Sequence, residues 1–114
     1  MTVDELFEQG FAFRCEGRYR EAREALEQAL RLNPFHVKSR WQMALILGFE
    51  GDFDGSLDAL RALAFEEPDN IDVKNDLAMT YMMLGYMEEA CAEFRGILAI
   101  DPSHENARRQ MVYC

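Results

Sequence analysis

The three prolines of this chain, Pro34, Pro68 and Pro102, stand 34 residues apart. A fixed step of that length is the signature of a repeat architecture, in which each unit buries its apolar face against its neighbours. Other columns keep the same step without a gap. Gly17, Gly51 and Gly85 form one, Tyr19, Phe53 and Met87 another. Phe13, Leu47 and Tyr81 form a third, and Leu26, Leu60 and Phe94 a fourth. Ala22, Ser56 and Ala90 supply a small residue at one place in each unit. The chain therefore divides into units 3–36, 37–70 and 71–104 of a single domain, 1–114, with residues 104–113 left as a short capping helix.

Each unit reads as two helices. In the third, Asn70 or Asp69 caps a helix on which Val73, Leu77, Ala78, Tyr81 and Leu84 recur at helical spacing. Gly85 ends it. A second helix carries Met87, Ala90, Phe94, Ile97 and Leu98, and Asp101-Pro102 ends that one, because the residue before proline avoids the helical region. Thr2 and Glu5 have the spacing of a capping box at the first helix. Each proline is expected to initiate the helix that follows it. The fold class is all-α.

Charge narrows the function classes. Acidic residues outnumber basic ones by 21 to 12, for a net charge of −9. Phosphate backbones and anionic membrane surfaces would be repelled. The units carry −2, −4 and −4, and the last ten residues +1. No apolar run approaches the roughly 18 residues of a membrane span. The opening residues lack the basic and apolar regions of a secretory signal. The three cysteines, Cys15, Cys91 and Cys114, are odd in number and show no CxxC spacing, which predicts reduced thiols and a cytoplasmic chain. His36 and His104 share one repeat column, where they read as caps or turn fillers rather than metal ligands. No phosphate loop or nucleophile elbow is present. No enzymatic activity, cofactor or metal is expected.

With these columns the chain resembles the tetratricopeptide repeat. Leu6, Gly10, Phe13, Ala22, Leu26, Ala29 and Pro34 carry the likeness in the first unit, and Leu77, Ala78, Tyr81, Ala90, Phe94 and Pro102 in the third. There are departures: Gln9 for leucine, Arg40 where a tryptophan is usual with Trp41 one place on, Ser56 for alanine, Leu63-Ala64 in reversed order, and a bulky Ile97. The resemblance implies a right-handed α-solenoid of three helical hairpins with a short seventh helix, serving as a protein-interaction scaffold.

It also implies that the first helix of each unit lines a concave groove. Carried over residue by residue, the groove takes Asp4, Phe7, Glu8, Phe11, Arg14 and Cys15 from the first unit. The second contributes Lys38, Trp41, Gln42, Leu45, Gly48 and Phe49, and the third Asp72, Asn75, Asp76, Met79, Met82 and Met83. Aromatics are common interface anchors, and methionine suits a surface that repacks against a partner. Leu45, Met82 and Met83 are read equally well as core between hairpins. The carboxylate clamp known in this family, which grips acidic C-terminal tails, has its cations replaced here: the matching positions are Phe7, Phe11, Gln42, Asp72 and Asp76. An acidic tail is therefore excluded, and an apolar or amphipathic protein segment, basic near the third unit, is expected. Two alternatives stay open: a self-associating scaffold whose groove or end takes up a neighbouring copy, and a regulatory piece of an enzyme whose catalytic domain is on another chain.

Overall fold

Gly17, Gly51 and Gly85 adopt φ angles of 76°, 95° and 89°. Backbone in this left-handed region is open to glycine at little cost, so one column sets the reversal inside every hairpin. The computed structural model describes all 114 residues, in seven α-helices and a 3-10 turn. The helices are α1 (Val3–Cys15), α2 (Tyr19–Leu32), α3 (Val37–Phe49), α4 (Phe53–Glu66), α5 (Ile71–Met83), α6 (Met87–Ile100) and α7 (Glu105–Gln110), followed by the 3-10 turn Met111–Tyr113. The fold is all-α, as the periodicity predicts. No helix is long and apolar enough to cross a membrane.

Side chains cap the starts of α1, α5 and α7. Thr2 and Glu5 close the expected capping box, each accepting from the other's backbone N–H at 3.1 Å. Asn70 caps α5, and His104 caps α7 by accepting the Ala107 N–H at Nδ1, 3.1 Å away. The prolines do not begin helices. Pro34 lies inside a turn closed by the His36 N–H on the Asn33 carbonyl at 3.1 Å, and α3 starts only at Val37. The turns at Pro68 and Pro102 close in the same way. A proline's fixed φ fits the second residue of such a turn as well as a first helical residue.

The chain packs as two compact units, Met1–Ala59 and Leu60–Cys114, divided within α4. In the first, Ala22, Leu26 and Ile46 are fully buried, and Phe7, Phe13, Tyr19 and Met43 pack against them. The two helices of the first hairpin approach closely at Gly10, where an added Cβ would lie 2.6 Å from Leu26 Cγ. Ser56 holds the small-residue column of the next hairpin. Its hydroxyl is buried but donates to the Ala44 carbonyl at 2.7 Å, so the departure from alanine leaves no orphaned polar group.

In the second unit, Ala78, Ala90, Phe94, Ile97 and Ala107 form the core, with Ile71, Tyr81, Met82, Leu98 and Met111 against it. Ala107 comes from α7, so this helix does cover the end of the unit. Val112, further along the tail, is 80% exposed. The expectation of reduced thiols is overturned. Cys91 on α6 and Cys114 form a disulfide, which pins the tail beyond α7 to α6, and Cys15 alone is free. The odd count was one bonded pair and one thiol, and the 23 residues between Cys91 and Cys114 match no CxxC spacing.

Candidate functional site

Phe7 and Phe11 lie four residues apart on α1, hence on one helical face. Their rings pack 6.0 Å apart at an interplanar angle of 37°. Lys38, Trp41 and Gln42 come from α3, in the same compact unit. Together with Glu8 these side chains enclose a pocket of ≈340 Å³. Its wall combines the rings of Phe7, Phe11 and Trp41 with Glu8, Lys38 and Gln42. The Lys38 ammonium sits 5.9 Å from the Phe7 ring centre. The His36 ring meets Phe7 edge-on at 5.8 Å and is hydrogen-bonded through Nδ1 to the Ser39 hydroxyl at 2.7 Å.

The aromatic surface continues along α1. The Arg14 guanidinium lies 5.1 Å from the Phe11 ring centre and 5.9 Å from that of Phe49. Phe49 in turn stacks on Tyr19 at 5.6 Å. Phe7, Phe11, Arg14, Phe49 and Tyr19 thus form one strip of rings with a cation set into it. Phe11 is 37% and Phe49 54% exposed, so the strip is open to solvent. Two buried side-chain polar atoms bordering it have no hydrogen-bond partner: Arg14 Nε and Gln42 Oε1. Unpaired buried polar atoms are uncommon, because each costs about 1–3 kcal/mol. Gln42 itself is only 6% exposed, against its expected place on an open groove.

The remaining residues marked out in the sequence fall in different settings. Leu45 is half-buried on α3. In the second unit, Asp72 and Met83 are exposed, while Met82 packs into the core. Asn75 Oδ1 accepts from Asn106 Nδ2 at 2.7 Å, and the same amide lies 3.5 Å from Met79 Sδ. Asn106 belongs to α7, and repeat columns gave no signal for its reach, because α7 stands outside the 34-residue units. Asp76 is half-buried, and its carbonyl accepts the Thr80 hydroxyl at 2.8 Å. The Tyr19–Phe49 stack was also invisible in the columns, which align equivalent positions and not cross-helix neighbours.

A larger cavity, ≈500 Å³, lies in the second unit among Arg61, Phe65, Pro68, Lys74, Leu77, Tyr81 and Glu93. Its exposed wall is mostly polar, whereas that of the smaller pocket is mostly apolar, so the smaller pocket is the stronger candidate for an apolar anchor. No group of three or more His, Cys, Asp or Glu side chains is placed to hold a metal.

Family models described as tetratricopeptide repeat match residues 3–36 and 50–114. No curated protein matches the chain. Among solved structures, YrrB, described as a TPR protein with an unusual peptide-binding site, aligns at a TM-score of 0.81 with 23% identity, covering 96% of this chain and 56% of that one. MamA from Desulfovibrio magneticus RS-1 aligns at 0.82 with 18% identity, over 97% of this chain and 63% of that one. MamA AMB-1 aligns at 0.81 with 25% identity, over 99% and 62%. The chain spans less than two thirds of the length of each. What these neighbours share with it is an all-α solenoid of helical hairpins.

Proposed function

The chain belongs to the tetratricopeptide repeat family, and from that footing we propose that it is a non-catalytic adaptor which seats an apolar or amphipathic protein segment on the aromatic strip of its first unit. Protein–protein interaction is the coarse function that the family supports. The observation that carries the finer reading is the ≈340 Å³ pocket walled by Phe7, Phe11 and Trp41. An apolar anchor side chain packs against these rings. An acidic C-terminal tail is not the ligand on this reading, since Phe7, Phe11 and Gln42 stand where the clamp would need clamp-type polar and cationic side chains, and Asp72 and Asp76 where it would need cations.

Selection of a random heptapeptide library displayed on phage, with this chain immobilised, tests the reading. Enriched peptides are expected to share an apolar or aromatic anchor. Trp41→Ala and Phe11→Ala, checked for retained helicity, are each expected to weaken binding of a selected peptide by about 2 kcal/mol. Unchanged binding by both folded variants would place the ligand elsewhere.

A further inference from the structure

The guanidinium of Arg14 is held in an unusual way for a surface arginine. Two phenyl rings flank it, Phe11 at 5.1 Å and Phe49 at 5.9 Å, and the side-chain atom it reaches is Cys15 Sγ, 3.8 Å from an Nη. Its Nε is buried with no acceptor. Other arginines of the same unit are spent on carboxylates: Arg18 on Glu21 at 2.6 Å and Arg23 on Glu50 at 2.8 Å. Arg14 has therefore been oriented by packing but not satisfied. Rings fix the plane of a guanidinium while leaving its in-plane N–H groups free, and those groups match a carboxylate. A second cation, Lys38, sits over Phe7 at the other end of the paired rings.

Resting on the proposed binding reading, we infer that the segment taken up by the first unit carries an internal Asp or Glu side chain beside its apolar anchor, and that Arg14 is the residue that recognises it. The anchor enters among Phe7, Phe11 and Trp41, and the neighbouring carboxylate is received by Arg14 past Phe11. This differs from grip on an acidic tail. A run of carboxylates is disfavoured by the chain's net charge of −9, whereas one carboxylate meets one pre-set guanidinium. The carboxylate is received at the Nη edge of the guanidinium, since Nε has no exposed surface. Selectivity between acidic and amide side chains at this position follows.

The heptapeptide phage selection is repeated on Arg14→Gln and Arg14→Lys, each checked by circular dichroism. Displayed peptides have no free C-terminus, so enriched carboxylates are side chains. Wild-type protein is expected to enrich an acidic residue next to the anchor, and Arg14→Gln to keep the anchor and lose the acid. A synthetic selected peptide, C-terminally amidated, is expected to bind wild type roughly tenfold less well after Glu→Gln, with no such loss on Arg14→Gln. Arg14→Lys keeps the charge but not the planar fork, and falls between. Acidic enrichment absent from wild type, or equal on Arg14→Gln, overturns the inference while the binding reading stands. No enrichment of any peptide by wild type overturns both. If Arg14→Gln does not fold, the peptide's Glu→Gln change and Arg14→Lys decide, and less than a twofold effect of both overturns the role. A dimer in sedimentation that Arg14→Gln dissociates would show that a second copy occupies the strip, which also overturns it.

Discussion

At Gly10 the missing side chain is what allows α1 and α2 to touch. A methyl group there would meet Leu26 Cγ at 2.6 Å and Cδ2 at 2.7 Å, and Leu26 is fully buried and has no room to move aside. Gly10→Ala gains helix propensity but overpacks the core. The clash wins, and a net loss of about 1–3 kcal/mol in chemical denaturation is expected, with the helical signal of the folded state retained. A variant more stable than wild type would contradict the packing described here. Glu5 offers a different handle. The Thr2 N–H on its carboxylate, and secondly the Thr2 hydroxyl, hold its pKa below the ordinary 4.5. A depressed folded pKa means the carboxylate's contribution is complete above the unfolded value and is lost as pH falls through the folded one. The Thr2 and Glu5 amide resonances are therefore expected to titrate with a midpoint below 4.5, and a midpoint above it would mean the capping box is not formed in solution.

Single helices depend on what pins them. At six residues, α7 is far below the length at which a helix is stable alone. It is held by the His104 cap, by Ala107 in the core, by Asn106 on Asn75, and by the disulfide from α6 to Cys114 just beyond it. The bond closes a loop spanning α7, and loops of this size contribute about 3 kcal/mol when cross-linked. Reduction with dithiothreitol, or Cys114→Ser, is expected to lower the stability of the second unit by roughly that amount. Amides of residues 105–113 should exchange faster while those at the centre of α1 stay protected. Equal loss of protection in both would show that the disulfide does not act locally. Asn75 and Met79 belong with α7 as much as with any ligand surface, since Asn106 already engages both.

For the molecule as a whole, the repeat columns carried the fold because each column answers one packing or backbone demand. Gly17, Gly51 and Gly85 turn the chain with positive φ, and Leu26, Leu60 and Phe94 are each fully buried. The candidate site was legible only in part. Phe7, Phe11, Trp41 and Gln42 stand in the pocket wall, yet the sequence had no means of showing that Gln42 is buried or that Arg14 lies between two rings. Those properties come from cross-helix neighbours, which periodicity does not encode. The Cys91–Cys114 bond escaped for the same reason: it joins a repeat helix to a tail that has no repeat equivalent. Trp41 is the only tryptophan in the chain, so its emission reports the pocket and nothing else. The most direct measurement is a fluorescence titration with a peptide from the selection. A saturable change in Trp41 emission, with the same dissociation constant as calorimetry and lost on Phe11→Ala, is expected. Calorimetric binding that leaves Trp41 emission unchanged would contradict the assignment of the aromatic strip as the binding surface.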